Sequence, residues 1–169
     1  MKDYLDVLVN KHKKNGAFLD ANLALLLLVG QVDRNHIALF KRTSSYTAED
    51  YLALVAILKN FRRIVTTPNV LTEVNNLAGA LAGKHKDAFM LKFSRYIESS
   101  EERYFQSNLA MKEPGFLRYG ITDVGAIWAC RSKYLLISDD FKMVAPARAA
   151  GVDVLNFNYI RQALMNIES

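Results

Sequence analysis

Short, mainly apolar runs alternate along this chain with longer amphipathic stretches, and that alternation restricts the fold more than any other feature of the sequence. Ala17-Phe18-Leu19, Arg63-Ile64-Val65-Thr66, Tyr134-Leu135-Leu136-Ile137 and Val152 to Leu155 each read as a buried strand. Helical segments lie between them, which is the pattern of an α/β domain with a mainly parallel sheet. The spacing predicts helices over Asp3 to Asn15 (Leu5, Leu8, Val9 and His12 on one face, Gly16 as the stop), Ala21 to Val29, Thr47 to Asn60, Pro68 onward through Glu73, and Lys84 to Ile97. Thr47 with Asp50 forms a capping box. The stretch Ser99 to Tyr119 is expected to hold a helix broken near Pro114-Gly115. Thr122 is expected to cap a helix running through Arg131, a further helix reaches Ala150, and Asn158 caps the last one. Pro146 falls inside the helix after Asp140 and is expected to kink or delay it.

The chain's 169 residues suit one domain with one core, and 51% apolar with 23% charged residues excludes a disordered chain. Cys130 is the single cysteine, so no internal disulfide forms, which fits a reducing cytoplasm. Its apolar surroundings make it a core residue. The longest apolar run, Leu23 to Gly30, is too short to span a bilayer, and the acidic N-terminus lacks a signal-peptide core, so neither membrane insertion nor export is expected. The net charge of +5 is compatible with a nucleic-acid partner.

Acidic residues follow the strands in a recurring way. Asp20 comes directly after the first strand, Glu73 lies early in the helix after the second, Asp123 stands at a helix start, and Asp139 and Asp140 follow Ile137-Ser138. Any one of them is explained by a carboxylate's preference for a helix N-terminus. In a parallel sheet, however, all strands end on one edge, and ligands bind where the strand order reverses. The acids are thus expected to converge. Carboxylates crowded together take up protons unless a cation compensates, and oxygen ligands without histidine or cysteine select Mg2+ or Mn2+. His12, His36 and His85 lack zinc-ligand spacing and read as surface or packing residues. A site of this kind suits phosphodiester hydrolysis.

Four segments, Phe18-Leu19-Asp20-Ala21-Asn22, Pro68 to Val74, Gly120-Ile121-Thr122-Asp123-Val124 and Leu136-Ile137-Ser138-Asp139-Asp140, occur in the order found in the PIN-domain family, and the chain resembles that family over most of its length, more narrowly its VapC-type toxin ribonucleases. The resemblance implies a PIN-like three-layer α/β/α sandwich, with a mainly parallel sheet of four to five strands. The chain is expected to be a single domain over 1–169, and it departs from the compact members of that family in an N-terminal helical extension at 1–16 and a helical elaboration at 84–120. By the resemblance, Asp20, Glu73, Asp123 and Asp140 are catalytic metal ligands for Mg2+ or Mn2+. Asn22, Thr122, Ser138 and Asp139 support them from behind. The implied activity is endoribonuclease cleavage of RNA, as in the toxin of a toxin–antitoxin module. The implied partners are RNA, a neutralising antitoxin protein and a second copy of the chain.

The basic clusters Lys11-His12-Lys13-Lys14, Lys41-Arg42, Arg62-Arg63 and Lys84-His85-Lys86 are expected to include some that flank the acidic pocket and hold RNA. Arg118 and Tyr119 precede Asp123 closely enough to reach substrate. Phe89, Phe93, Tyr96 and Ile97 read as a core-facing stripe. The alternative is a non-catalytic PIN-like module that binds RNA or a protein. A phospho-acceptor receiver fits less well, because it wants paired acids after the first strand and a later lysine where Ser138-Asp139-Asp140 stands.

Overall fold

A computed structural model describes residues 2–131 and 133–165; positions 1, 132 and 166–169 of the expected single domain lie outside it. The elements in chain order are α1 (Lys2–His12), β1 (Ala17–Leu19), α2 (Ala21–Val32), α3 (His36–Leu39), α4 (Ala48–Leu58), β2 (Ile64–Thr66), α5 (Pro68–Leu77), α6 (Gly83–Ser99), β3 (Glu101–Glu102), α7 (Ser107–Ala110), α8 (Phe116–Cys130), β4 (Leu135–Ser138), α9 (Phe141–Ala149), β5 (Val154–Asn156) and α10 (Phe157–Met165). A single 3₁₀ turn, Ala78–Ala80, joins α5 to α6.

Among the described residues the strands form one five-stranded sheet in the order β3-β2-β1-β4-β5, with every pairing parallel. Phe18 sits between Val65 and Leu136, and Leu136 in turn pairs with Val154. Such strands are buried on both faces and so are mainly apolar, with the buried polar residues Thr66, Ser138 and Asn156 at their carboxyl ends. The chain walks from β1 outward to β3, then returns to the other side of β1 for β4 and β5. With right-handed crossovers this reversal puts α2 to α6 on one face and α8 and α9 on the other. Accordingly α2 packs against α4, α5 and α6, while α8 packs against α7 and α9. The strand order therefore switches between β1 and β4.

Helix α2 is apolar all round because helices surround it; Leu23, Ala24, Leu26 and Leu28 are completely buried. Gly30 lets α4 approach it: a Cβ there would lie 2.2 Å from the Tyr51 ring. The capping box at the start of α4 is complete, with the Asp50 amide donating to Thr47 Oγ1 at 3.1 Å and the Thr47 amide to Asp50 Oδ2 at 2.9 Å. Cys130 is a buried core residue whose thiol pKa burial raises. Phe89, Phe93 and Tyr96 are buried as expected, whereas Ile97 at the end of the stripe is exposed. No helix among the described residues is long and apolar enough to cross a membrane.

Several expectations need correction. The 84–120 segment is not purely helical, because Glu101–Glu102 adds an edge strand beside β2. Thr122 does not cap α8. The helix starts at Phe116 and is interrupted at Gly120, whose φ of 80° and ψ of −179° suit glycine alone. Pro146 neither delays nor breaks α9, which begins directly after Asp140 and runs to Ala149. The carbonyl deprived of its donor belongs to exposed Lys142, where water can replace the lost bond. Finally, Asn156 rather than Asn158 caps α10, its side chain accepting from the Asn158 amide at 2.9 Å.

Candidate functional site

The carboxyl ends of β1 and β4 lie side by side at the switch point, Leu19 opposite Ile137. Asp20 extends this ladder by one bond, its amide donating to the Ile137 carbonyl at 3.2 Å, and then caps α2. Asp20 Oδ1 accepts from the Leu23 amide at 2.9 Å, and Oδ2 accepts from the Asp139 amide at 3.0 Å. Asp140 caps α9 in the same manner, with Oδ1 accepting from the Lys142 amide at 2.8 Å, while its own amide donates to Ser138 Oγ at 3.0 Å. The helix-capping explanation of Asp20 and Asp140 is therefore correct as far as it goes.

It does not account for where the acids meet. Asp20, Glu73, Asp123 and Asp140 line one cavity of about 300 Å³, together with Asn22, Thr122 and Ser138. Glu73 arrives on α5, whose start is fixed by Thr67 as cap and Pro68 in the first turn. Asp123 arrives on α8, which packs against α5. The break at Gly120 divides α8 just ahead of Asp123, and Tyr119, Gly120 and Ile121 form the cavity wall beside it.

The cavity leaves its negative charge uncompensated. Burial, then the neighbouring Asp139 carboxylate, push the Asp20 carboxyl from 3.8 to about 7, against the opposing pull of Ser138 and two backbone amides. Burial, then Asp140 and Glu73, push Asp123 from 3.8 to about 6. Among the described residues, no lysine or arginine lines the cavity. Among the described residues, no three histidine, cysteine, aspartate or glutamate side chains stand close enough together to grip one ion as they are. The acids ring the space rather than meet at a point, and Glu73, exposed on its helix, has the most freedom to move inward.

Asp139 behaves differently from its neighbour. It does not line the cavity; its carboxylate turns away to accept from the Tyr46 hydroxyl and, at 3.4 Å, from Asn22 Nδ2. The expected support from Asn22 thus goes to Asp139. Tyr46 and Asn158, whose side-chain amide donates to the Asp139 carbonyl, were not evident as site residues from sequence, since both come from distant segments with no local motif. Tyr119 does wall the cavity, and Arg118 stacks 5.3 Å from its ring.

Two of the four basic clusters lie away from the acids. Lys11 and His12 bind Asp153, which precedes β5, and His12 also meets the Lys133 carbonyl just before β4. The Arg62 amide donates to the Lys13 carbonyl, and Arg63 pairs with Glu101 at the start of β3. Both clusters therefore sit where strands begin, at the edge away from the acids. His85 stacks on His36 at 4.0 Å, so all three histidines are packing residues. Comparison with protein-family models, with curated proteins and with solved structures finds no match for this chain.

Proposed function

We propose that this chain is a metal-dependent endoribonuclease that hydrolyses RNA phosphodiester bonds. The observation that carries the reading is the gathering of Asp20, Glu73, Asp123 and Asp140 round one cavity at the switch point of a parallel sheet, with two of the four carboxyls pushed up toward neutrality. Perturbed acids with no cation partner, in a cleft, are a pattern of functional sites. The donor set is all oxygen, which fits Mg2+ or Mn2+. When bound, such an ion supplies Lewis-acid activation of water and of the scissile phosphate. Asp20 and Asp140 are held by backbone amides, so they would act as fixed ligands; Glu73 and Asp123 would close the set. Asn22 and Ser138 keep the neighbouring acids oriented.

The finer readings rest on the motif resemblance: a PIN-like fold, membership of a toxin–antitoxin pair, an antitoxin protein and a homodimer as partners, and residence in the cytoplasm. The alternative is a non-catalytic PIN-like module that binds RNA or a protein, and the observation on its side is that the acids among the described residues ring the space without a preassembled group of three. Incubating the purified protein with RNA and Mg2+ or Mn2+ separates the two. Cleavage that stops when the metal is chelated, and in folded Asp20→Asn, supports the nuclease. Intact RNA at every metal concentration leaves the binding module.

A further inference from the structure

A cluster of polar side chains behind the acidic cavity joins three distant parts of the chain. Tyr46 lies in the turn before α4 and is 4% exposed, yet its hydroxyl reaches Asp139 at the end of β4. Arg161 of α10 stacks on the Tyr46 ring with its guanidinium carbon 5.0 Å from the ring centre. The same guanidinium donates to the buried Asp50 carboxylate at 3.1 Å and to the Ser45 carbonyl, so it grips the turn on both sides of Tyr46. Asn158, one helical turn before Arg161, donates to the Asp139 carbonyl.

We propose that Tyr46, clamped by Arg161, is a positioning residue for Asp20 that acts through Asp139. The proposal deepens the metal-site reading and rests on it only where metal is measured. Asp139 has two polar functions here. Its amide donates to Asp20 Oδ2, fixing which way the Asp20 carboxylate faces. Its carboxylate turns away from the cavity and accepts from the Tyr46 hydroxyl, with Asn22 as a longer second contact, so the buried tyrosine anchors residue 139, and with it the amide that meets Asp20, to the turn before α4. A carboxylate held beside a site by a buried hydroxyl loses orientation when the hydroxyl is removed, since among the described residues no other donor of comparable length reaches it. The C-terminal helix is thereby part of the site, although none of its residues lines the cavity.

The test compares wild type with Tyr46→Phe, which retains the ring and its stacking on Arg161. Amide hydrogen exchange at residue 139 reads the contact to Asp20 without any metal. We expect Tyr46→Phe to speed exchange there about tenfold or more while core amides of β1 and β4 keep their wild-type rates. Unchanged exchange at residue 139 overturns the proposal. Titration with Mn2+ alone is the second readout, and removal of a group that orients a metal ligand typically weakens the metal about 10- to 100-fold. Tyr46→Phe is expected to weaken Mn2+ by that amount, and Arg161→Ala by less. In an Asp139→Asn background the Tyr46→Phe effect should shrink to within about twofold, because the two act in series. Effects that multiply in the double variant would overturn the series. If wild type takes up no Mn2+, the metal reading fails, and the exchange measurement still decides the role of Tyr46.

Discussion

The two edges of the sheet treat carboxylates in opposite ways. Where the strands begin, each acid has its cations. Lys11 and His12 hold Asp153 below the ordinary carboxylate range, and the Tyr134 hydroxyl with Arg63 does the same for Glu101. Where the strands end, Asp20 and Asp123 are buried beside other acids and pushed up. Both edges are built from residues flanking the same apolar strands, so the fold's architecture does not require this difference. Paired acids at the first edge are explained by the fold that they hold together. Unpaired acids at the second cost stability, and a cost concentrated in one cavity is the mark of a functional site.

The comparison breaks most visibly in activity. Asp20→Asn and Asp123→Asn should each lower metal-dependent RNA cleavage by at least about 100-fold, as expected when a ligand to a catalytic ion is lost. Asp153→Asn at the opposite edge should leave the rate within about twofold. Equal losses at the two edges, measured as initial rates on one RNA, would erase the distinction.

Stability changes come next. Gly120→Ala should cost about 1–3 kcal/mol in denaturant unfolding, since an alanine meets no atom there and pays only for a backbone conformation reserved to glycine. Asp153→Asn should cost about 1 kcal/mol by weakening the bond to buried His12. Asp20→Asn, in contrast, should cost less than about 1 kcal/mol in the metal-free protein at pH 8, because removing the uncompensated buried charge offsets the loss of one of its two backbone amide bonds.

The smallest effect is a pH dependence whose sign differs between the edges. Asp20 and Asp123 bind protons more tightly folded than unfolded. Their contribution is therefore present below about pH 4 and is lost as pH rises through about 6 and about 7. Asp153 and Glu101 sit below their ordinary values, so their contribution is present at neutral pH and is lost as pH falls through the acid range. Metal-free melting temperatures should decline from pH 5 to pH 8 in wild type and less steeply in Asp20→Asn, where Asp123 alone still contributes; identical slopes in the two proteins would contradict the assignment.

Patterns that repeat locally were legible before any coordinates. Mainly apolar runs marked β1, β2, β4 and β5, Thr47 with Asp50 marked the start of α4, and the position of Asp20 after a strand placed it on the shared edge. What escaped depends on tertiary context. Glu101–Glu102 is too short and too charged to signal a strand, and it pairs only because β2 offers a free edge. Thr122-Asp123 resembles a helix start, yet the interruption comes at Gly120, where backbone freedom rather than a capping side chain decides. Asn156 and Asn158 are equally good caps by sequence; the tertiary contact of Asn158 with Asp139 assigns them different roles. Tyr46 could not be found from its own segment at all, because its partner lies at the end of β4. That Lys11-His12 and Arg62-Arg63 serve the opposite edge was hidden for the same reason, as charge along a chain does not say which edge it will meet.

Calorimetric titration of wild type, Asp20→Asn and Asp123→Asn with Mn2+ at pH 8 tests the central claim most directly. One saturable site in wild type, lost in both folded variants, is the predicted result. Heat-silent wild type, or binding that survives both substitutions, would contradict it.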